Sequence, residues 1–563
     1  MNGSGRSRGS SRGPILLATI LPVLLLAPFL DKAFHIDDPL FVYSAQHLTE
    51  HPLDFYGFSI NWYTSPMPMH EVNQNPPLLA YYLAPFGLLF GWCEWVVHGA
   101  LLLPAAAVGL GTWLVARRCC RHPLAATLLV ILSPVFLVSG STVMCDLLML
   151  GFWLWALHLW LLGVERKHWG YFWVSGILIA SSALSKYFGV SLIPLLFVYT
   201  LVAGRGTRHA VLYLLVPVAI LGLYEFATAR LYGRGLLWDA VVYARDYQAT
   251  EGLDYLEKAV TGLTFTGACL APVALFGMVS WWRWSKWACV GLLGVGVAVL
   301  PALSAYAGLW DDPPTPLPWW ARIQAGLWGL LGGYLLILAL TDLVRRRDAA
   351  SVVLALWFGG VLFFACFVNH FVNARVILPL AVPGTLLAVR HFEQRVPRGT
   401  EGSSLVPRAV FLLAGALALL VSCADARLAG IARHAAEEIG EEGGGGAVWF
   451  SGHWGFHYYM AEQGGRPLDL GALALQPGDL CVTPSNNTNR AALQPEMVEE
   501  RETLQFRSFP CLATMQRPMG AGFYSDVFGP LPFVIGPVPA EMYTVDRVAG
   551  PRALRKPGVH PVP

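Results

Sequence analysis

The sequence has little charge for its length. Only 13% of its 563 residues are Asp, Glu, Lys or Arg, whereas an average soluble domain has about 25%. The formal net charge is +2, which excludes the strongly basic footprint of a nucleic-acid-binding protein. The 10 cysteines form no Cys-x-x-Cys pair, so the spacing of many zinc and redox sites is missing. No repeat of fixed period is visible, which argues against the internally duplicated transporters.

Long apolar runs take the place of the missing charge. Hydrophobic residues make up 55% of the chain, and they recur in runs of about 20 residues, the length that crosses a bilayer as a helix. The sequence therefore predicts an α-helical polytopic membrane protein with about 13 transmembrane helices. We place these helices near residues 15–31, 94–116, 124–140, 143–163, 170–185, 187–203, 210–229, 263–282, 287–307, 323–343, 351–369, 375–390 and 409–424.

The distribution of Lys and Arg predicts how the helices are oriented. Every second predicted loop is basic, and cationic loops are retained on the cytoplasmic side. This pattern places the N-terminus in the cytoplasm and the C-terminal segment outside. The arginine-bearing N-terminus resembles a signal peptide, but no small-residue cleavage site precedes the first loop, so we expect an uncleaved first helix. The Gly, Ala and Arg content favours the plasma membrane of a bacterium as the location.

The same pattern divides the chain into three parts. We predict a cytoplasmic tail over residues 1–14, a transmembrane domain over 15–424 whose first outer loop is 31–93, and an extracytoplasmic domain with a Pro-rich tail over 425–563. The apolar stretch 78–92 is expected to lie at the outer interface, because a crossing there would turn the following basic loop outward.

The C-terminal segment differs in character from the rest of the chain. ARLAGIARHAAEEIGEE has the pattern of an amphipathic helix, and AVWFSG and DLCVTP have the pattern of short strands. We therefore predict a small α/β domain. Cys481 and Cys511 lie in it and are candidates for a disulfide.

The first long polar segment runs from Asp31 to Leu79. It contains the neighbouring carboxylates Asp37 and Asp38 and several tyrosines, against one cation, Lys32. A loop that only connects two helices is usually short, whereas long loops on a rigid scaffold more often build a site. We therefore expect this segment to carry functional residues.

Three further charges lie where the sequence is otherwise apolar: Asp146, Lys186 and Arg375. A charge at the centre of a membrane helix costs roughly 2.5–3.5 kcal/mol on insertion scales, so such residues are functional candidates. The loop pattern puts all three, with Asp37 and Asp38, at the outer helix ends, and we expect them to converge on one outward-facing cavity. Two alternatives remain open at this point. Each charge could extend to the interface, or Asp146 and Lys186 could form only a structural ion pair.

The histidines do not indicate a metal site. His35, His47, His51 and His70 lie in the first loop, but none of them shows the tight helical ligand spacing of a zinc site. His453 and His457 are expected to belong to the core of the C-terminal domain. We predict no metal ligands, although a divalent cation beside a phosphate remains open.

Five motifs follow one another in a recognisable order. They are D-D-x-x-x-x-Y at 37–43, N-P-P-L-x-x-Y at 75–81, an Asp at the start of a helix at 146, S-K-Y-F-G at 185–189 and N-x-R-x-x-L-P at 373–379. This order resembles the integral-membrane glycosyltransferases of the GT-C fold. It is most similar to the protein O-mannosyltransferase superfamily, which includes the bacterial aminoarabinose transferases, and the resemblance covers about residues 31–390.

The resemblance implies an enzyme that transfers a sugar from a polyprenyl-phosphate donor, with inversion, on the outer face of the membrane. The acceptor (protein, lipid or cell-envelope glycan) is not identified. In such enzymes an acid of the first outer loop is the catalytic base, which here is Asp37 or Asp38. Relatives often have Asp-Glu at this pair. We expect the first carboxylate to act and the second to orient it.

The resemblance also implies the remaining roles. Lys186 and Arg375 would bind the donor phosphate, and Asp146 would orient Lys186. Some relatives have Lys where this chain has Asn75, so a phosphate contact there is reduced to a neutral hydrogen bond. The substrate-lining candidates are Asn75 and three tyrosines, Tyr43, Tyr81 and Tyr82.

The implied partners are the bilayer, the donor lipid and an acceptor, with no nucleic acid. Two functions of other classes remain open. A transporter or lipid flippase would use the same charges as an ion relay, and a scaffold protein would tolerate their loss.

Overall fold

We used a computed structural model of the chain. It describes residues 12–203, 205–251, 254–282, 287, 290–291, 294–311, 316–395, 405–442, 446–549 and 559–562. The basic tail before residue 12 and most of the Pro-rich tail lie outside the described residues, as do parts of the predicted helix 287–307.

Helices dominate the first 442 residues. The α-helices of this part are Arg12–Leu26, Asp38–Glu50, Met69–Val72, Leu78–Phe90, Glu94–Cys119, Pro123–Ile131, Pro134–Gly140, Asp146–Arg166, Trp169–Ser185, Leu192–Ala203, Leu215–Tyr232, Leu236–Glu251, Tyr255–Cys269, Ala271–Trp282, Leu300–Tyr306, Trp319–Arg346, Ala349–Phe367, Ala374–Ile377, Ala381–Arg395 and Leu405–Glu442.

The helical architecture is that of a polytopic membrane protein. Within the described residues, 8 helices are long and apolar enough to cross a membrane, and the number rises to 10 if each of two bent pairs is one span. The polytopic helical class that the sequence predicts is confirmed, and the predicted number of about 13 spans stays a prediction. The apolar helix Leu78–Phe90 is too short to be counted among these spans.

Prolines explain why two predicted spans are bent. The predicted helix 124–140 breaks by 58° before Pro134, where Ser133 caps the second half by accepting a hydrogen bond from the Phe136 N–H. The predicted helix 263–282 breaks by 76° at Leu270, and Pro272 lies in the first turn of its second half. A proline ring has no N–H for the helix interior but fits a first turn.

The first outer loop is more ordered than its polar sequence indicates. It contains a helix, Asp38–Glu50, which we call the loop helix, followed by a hairpin of the strands Ser59–Asn61 and Pro66–Pro68. Pro39 stands in the first turn of the loop helix. Sequence patterns alone did not predict these elements.

The final membrane helix continues far beyond its predicted end. Leu405–Glu442 is one helix of 38 residues that joins the predicted span 409–424 to the predicted amphipathic helix. The predicted domain boundary at 424/425 therefore falls inside a continuous helix.

The C-terminal segment forms the small α/β domain that the sequence predicts. Its sheet has the order Arg466–Pro467, Val448–Phe450, Leu480–Pro484, Glu541–Val548 and Val498–Phe506, in which the first three strands are parallel and the last two pair antiparallel. Shorter strands at Arg490–Leu493, Leu512–Ala513, Met515–Gln516, Ala521–Gly522, Val534–Ile535 and Val559–Val562 and the helix Gly455–Glu462 complete it. Cys481 and Cys511 do not form the candidate disulfide, because both are free thiols, one buried and one exposed.

The C-terminal domain packs directly against the helical domain. The Ala374 N–H donates to the Phe523 carbonyl (2.8 Å), and the Asp526 N–H donates to the Val372 carbonyl (3.0 Å). The Lys258 ammonium lies 2.6 Å from the Asp526 carboxylate. These contacts place the segment around Tyr524 over the start of the helix that carries Arg375.

Candidate functional site

Four of the residues singled out in the sequence come together. Arg375 lies between two carboxylates, 3.9 Å from Asp37 and 3.7 Å from Asp146. Lys186 donates a hydrogen bond to the other oxygen of Asp146. We call Asp37, Asp146, Lys186 and Arg375 the acid–cation cluster.

Each member of the acid–cation cluster lies at a helix end. Asp37 immediately precedes the loop helix, Asp146 begins Asp146–Arg166, and Lys186 directly follows Trp169–Ser185. Arg375 lies in a short helix whose first turn is capped by Asn373. Helix N-termini point unpaired N–H groups outward and favour anions. The cluster is therefore suited to bind an anionic group beside a carboxylate.

Exposure distinguishes the members of the cluster. The Asp37 side chain is 36% exposed, whereas that of Asp146 is 1% exposed. The two cations are partly open, and neither Asp146 Oδ2 nor Arg375 Nε has a hydrogen-bond partner among the described residues. Burial raises the pKa of Asp37, and the charge of Arg375 opposes that shift. Of the two carboxylates in the cluster, Asp37 is the one an incoming hydroxyl can reach.

Asp38 has a different environment from its neighbour. It is fully buried, and its Oδ2 accepts a hydrogen bond from the His35 N–H at 2.9 Å. Burial raises the pKa of Asp38 to about 8, although the charge of Lys32 opposes the shift. The side chain therefore holds the turn before the loop helix.

Asp38 belongs to a second group of charged and polar side chains, which is arranged around Lys32 and Asp425. Lys32 Nζ is 2.6 Å from Asp425 Oδ2, and both side chains are 0% exposed. The Tyr524 hydroxyl donates to Asp425 at 2.8 Å, and the Thr514 hydroxyl donates to it at 2.9 Å. We call Lys32, Asp38, Asp425, Thr514 and Tyr524 the buried lysine cluster.

Sequence reasoning singled out Asp38 but assigned no role to the other members of the buried lysine cluster. A signal was present, because Asp425 stands alone in an apolar helix in the stretch VSCADARL. Tyr524 also joins the two clusters, since its ring lies 5.7 Å from the Arg375 guanidinium carbon. No comparable signal marks Tyr524, which comes from the C-terminal domain and reaches the site only through the fold.

The predicted substrate-lining residues fall into two groups. Asn75 lies beside the acid–cation cluster, because its Oδ1 accepts from the thiol of Cys145, the residue before Asp146, at 3.6 Å. Tyr81 donates to the Pro52 carbonyl (2.8 Å) and Tyr82 to the Ala100 carbonyl (2.7 Å). Tyr43 packs on Tyr458, with ring centroids 5.6 Å apart. These three tyrosines contact the scaffold, and their role in lining the site remains a prediction.

Metal ligands are not grouped in the described part of the chain. No three His, Cys, Asp or Glu side chains there are placed to hold an ion. The His47 and His51 rings pack in a tilted arrangement with their centroids 4.6 Å apart. His35 is buried, and its burial lowers its pKa to about 4.

A segment in the first half of the chain matches a known family. Residues 74–232 match the sequence model of the dolichyl-phosphate-mannose-protein mannosyltransferases. The predicted resemblance is confirmed over this family segment, which includes Asn75, Asp146 and Lys186. Asp37 and Arg375 lie outside it. No curated protein sequence matches the chain.

Several solved structures are similar to this chain at low sequence identity. The oligosaccharyltransferase of Archaeoglobus fulgidus, solved with Zn and sulfate, is 16% identical at a TM-score of 0.46, and the match covers 81% of this chain and 62% of that one. ArnT from Cupriavidus metallidurans, bound to undecaprenyl phosphate, is 13% identical at 0.40 over 84% and 93% of the two chains. The mycobacterial arabinofuranosyltransferase AftD is 13% identical at 0.38 over 97% and 40%. The chain thus spans less than two thirds of the oligosaccharyltransferase, and no residue role is taken from these structures.

Proposed function

We propose that this protein is a membrane glycosyltransferase that moves a sugar from a polyprenyl-phosphate donor to an acceptor hydroxyl on the outer face of the membrane. One observation carries the proposal. A partly exposed carboxylate, Asp37, lies 3.9 Å from a guanidinium, that of Arg375, which also contacts the Asp146 carboxylate of the Asp146–Lys186 pair. A base and an anion site are therefore adjacent. The family segment supports the same assignment.

Asp37 is the proposed catalytic base. It takes the proton of the acceptor hydroxyl, and the freed oxygen attacks the anomeric carbon of the donor sugar. The bond from that carbon to the phosphate oxygen breaks in the same displacement, so the configuration at the anomeric carbon is inverted. The proton ends on Asp37, and the bonding electron pair leaves with the polyprenyl phosphate.

Arg375 and Lys186 are the proposed phosphate-binding cations. The charge that develops on the leaving phosphate is stabilised best by donors that are already in place before the reaction. Arg375 offers a planar fork of donors, and Lys186 offers a point charge. Asp146 contacts both cations and holds them together. Asn75, beside Cys145, supplies a neutral polar group at the edge of this site.

Asp38 is the proposed orienting residue. Its hydrogen bond from the His35 N–H fixes the turn that ends at Asp37. A change at Asp38 would therefore act through the position of Asp37 and not through the reacting atoms.

The direction of the helices supports a site on the outer face. Asp146–Arg166 begins in the acid–cation cluster and ends at Arg166, and Glu94–Cys119 ends with Arg117 and Arg118. Arg118 is bonded to Glu165 at that far end. Because basic helix ends are retained in the cytoplasm, the cluster, the first loop and the C-terminal domain belong on the opposite side, with the N-terminal tail inside.

Reconstitution of the full chain in liposomes tests this function. A panel of radiolabelled polyprenyl-phosphate sugars is supplied, with membrane extract as the source of acceptor. We expect one donor to be consumed, with release of polyprenyl phosphate and appearance of the sugar in a new product. Movement of intact donor between leaflets, with no loss of its sugar, would instead assign the protein to the flippases.

A further inference from the structure

The backbone just before Arg375 is bonded to the C-terminal domain. The Ala374 N–H donates to the Phe523 carbonyl at 2.8 Å. The Val372 carbonyl accepts from the Asp526 N–H at 3.0 Å. Two main-chain hydrogen bonds therefore attach the start of the short helix that carries Arg375 to one segment of the C-terminal domain. The position of Arg375 thus depends on how that domain packs.

Tyr524 follows Phe523 in this segment, and its ring lies against the Arg375 guanidinium. The guanidinium carbon is 5.7 Å from the ring centroid, within the distance of about 6 Å at which an aromatic ring attracts a cation. Tyr524 is 3% exposed, and the Arg375 side chain is 14% exposed. A cation–π contact is stronger where water is largely excluded, so this ring contributes to where the guanidinium lies.

The ion pairs of Arg375 do not fix its guanidinium by themselves. Its nitrogens lie 3.9 Å from Asp37 and 3.7 Å from Asp146, whereas a charge-assisted N–H···O bond is about 2.7–2.9 Å long. The two carboxylates therefore attract the guanidinium without a directional bond. Arg375 Nη1 also contacts the sulfur of Met144, but a thioether is a weak acceptor on a flexible side chain. A stiffer group is needed to set the orientation of the guanidinium.

Tyr524 is such a group, because the far end of its side chain is also held. Its hydroxyl donates to Asp425 Oδ2 at 2.8 Å and lies 3.2 Å from Thr142 Oγ1. The rings of His35 and Tyr524 pack in a T-shaped arrangement with centroids 5.3 Å apart. A tyrosine has only two side-chain torsions. A ring that is held at both its backbone and its hydroxyl therefore has little freedom left.

Glycines make the turn around Tyr524 compact. A Cβ at Gly522 would lie 2.1 Å from the Ser525 carbonyl oxygen. Gly529 has a φ of +146°, and a Cβ there would lie 2.2 Å from the backbone of Gly520. Side chains do not fit at these positions, so the sequence specifies one close-packed turn. This turn fixes the backbone that carries Tyr524.

The hydroxyl and the ring of Tyr524 contact different partners. The hydroxyl belongs to the buried lysine cluster, whereas the ring lies beside Arg375 of the acid–cation cluster. Thr514 of the same domain donates to the other oxygen of Asp425 at 2.9 Å. Loss of the Thr514 hydroxyl weakens the same anchor but leaves the ring in place. Substitutions can therefore distinguish a purely structural role for Tyr524 from a role that acts through Arg375.

We propose that Tyr524 is a positioning residue whose ring holds the Arg375 guanidinium where it meets the phosphate of the donor. The phosphate rests on the proposed function, whereas the contact of the ring with Arg375 rests on the geometry. The C-terminal domain is then part of the transferase site, because the site lacks a correctly placed cation until the domain has packed.

Binding of farnesyl phosphate to the full chain in lipid nanodiscs tests the positioning role. This short prenyl phosphate probes the Arg375 site without an acceptor or turnover, and titration calorimetry against empty nanodiscs gives its Kd. Tyr524→Leu removes the ring and should weaken binding by about three- to tenfold, the effect of one largely desolvated cation–π contact. If that variant does not fold, Tyr524→Met takes its place.

Two control variants keep the ring and weaken the anchor at Asp425. Tyr524→Phe and Thr514→Val each remove one hydroxyl that donates to this carboxylate. Both should melt at a lower temperature than the parent and bind farnesyl phosphate within about twofold of it. Affinities that instead fall in step with the melting temperatures of all three variants would give Tyr524 a structural role only and overturn the proposal.

A double-mutant cycle shows whether the ring acts through Arg375. In an Arg375→Met background, Tyr524→Leu should weaken the residual binding no further, because the group that it positions is absent. An equal additional loss in that background overturns the proposal, since the ring then acts independently of the guanidinium.

The Arg375→Met protein also separates this proposal from the proposed function. If the parent binds farnesyl phosphate no better than Arg375→Met does, the phosphate site of the proposed function fails, and the positioning role fails with it. If Arg375→Met loses binding and Tyr524→Leu does not, the phosphate site is supported and the positioning role alone is overturned.

Discussion

The two charge clusters lie next to each other and are built differently. In the buried lysine cluster, the Asp425 carboxylate receives Lys32, Tyr524 and Thr514, and all of these side chains are buried. In the acid–cation cluster, Asp37 is partly exposed, and Asp146 and Arg375 keep atoms without hydrogen-bond partners among the described residues. Both oxygens of the Asp425 carboxylate are satisfied by the protein itself, although Asp38 Oδ1 has no hydrogen-bond partner among the described residues, whereas the carboxylate and guanidinium at the centre of the acid–cation cluster have unused hydrogen-bonding capacity.

This difference separates a structural role from a functional one. A buried ion pair is tolerated only when further hydrogen bonds offset the loss of water, as they do around Asp425. Two of its partners, Thr514 and Tyr524, come from the C-terminal domain, so this carboxylate fastens the two domains together. The acid–cation cluster is incompletely satisfied, which is expected of a site that is completed by a ligand.

Replacing Asp37 should have the largest effect on activity. Asp37→Asn keeps the size of the side chain but cannot accept the acceptor proton, so turnover of the donor should fall by about 10²- to 10⁴-fold. The melting temperature should stay close to that of the parent, because the side chain is partly exposed and its nearest ion-pair partner lies at 3.9 Å.

Asp38→Asn is the matched control for that change. An Asn oxygen can still accept from the His35 N–H, so we expect a folded protein that keeps most of its turnover. If Asp38→Asn abolished turnover and Asp37→Asn did not, the roles of the two carboxylates would be exchanged.

Replacing Lys32 should have the largest effect on stability. Lys32→Met leaves Asp425 charged and without its cation in a buried site, which should cost about 3–5 kcal/mol of the free energy of unfolding. Lys258→Met is the comparison, because the Lys258–Asp526 pair is more exposed and its loss should cost less. Denaturation in detergent measures both. A Lys32→Met protein that melted like the parent but lost turnover would move this cluster into the catalytic site.

Replacing Lys186 tests the alternative that its pair with Asp146 is only structural. If Lys186 stabilises the leaving phosphate, Lys186→Met should lower kcat by about 100-fold, since one preorganised donor is lost. Arg375 remains 3.7 Å from Asp146, which limits the loss of stability. A purely structural pair would instead give normal kcat for the folded fraction together with a lower melting temperature.

The buried position of Asp38 predicts a pH-dependent stability. Its pKa is raised to about 8 in the folded protein, against about 3.9 in an unfolded chain. The folded state therefore binds a proton that the unfolded state releases, and the free energy of unfolding falls as the pH rises between these values. The slope is at most about 1.4 kcal/mol per pH unit.

The comparison of Asp38→Asn with the parent isolates this contribution. His35, which faces the same cluster, has its pKa lowered to about 4, so it acts in the opposite direction at lower pH. The two proteins should therefore diverge most clearly between pH 7 and 8, where the parent loses stability and the variant does not. Parallel stability curves over that range would show that Asp38 is ionised in the fold.

The sequence predicted the acid–cation cluster because its members are anomalies in an apolar chain. Asp146, Lys186 and Arg375 are conspicuous by their cost in a membrane, and the loop charges put them at the same helix ends. Tyr524 gave no such signal, since an aromatic residue in a polar domain is ordinary. Its place beside Arg375 depends on how the C-terminal domain packs, which is a long-range property that local patterns do not encode.

Helix type was predictable for the same reason, and helix shape was not. The length of an apolar run indicates a membrane helix, but it does not show where the helix bends. The bends at residues 132–134 and at Leu270 depend on whether a proline lies in the first turn of a helix or in its interior, where it removes a backbone hydrogen bond. The loop helix was missed because its polar face and its carboxylates resemble those of a loop.

Two tyrosines provide the smallest test of the comparison between structural and functional groups. The sequence placed Tyr81 and Tyr82 on the substrate path, whereas both hydroxyls donate to main-chain carbonyls of neighbouring segments. Tyr82 is half-buried, so Tyr82→Phe leaves the Ala100 carbonyl without this donor and should lower the free energy of unfolding by about 1 kcal/mol. Tyr81 is 39% exposed, and water can replace its hydroxyl, so Tyr81→Phe should have almost no effect on stability.

Both variants should keep donor turnover within about twofold of the parent, because one neutral hydrogen bond to the scaffold contributes little to a transition state that it does not touch. A Tyr81→Phe protein with normal stability and strongly reduced turnover would restore this residue to the substrate path and extend the functional surface from the acid–cation cluster to the helix Leu78–Phe90.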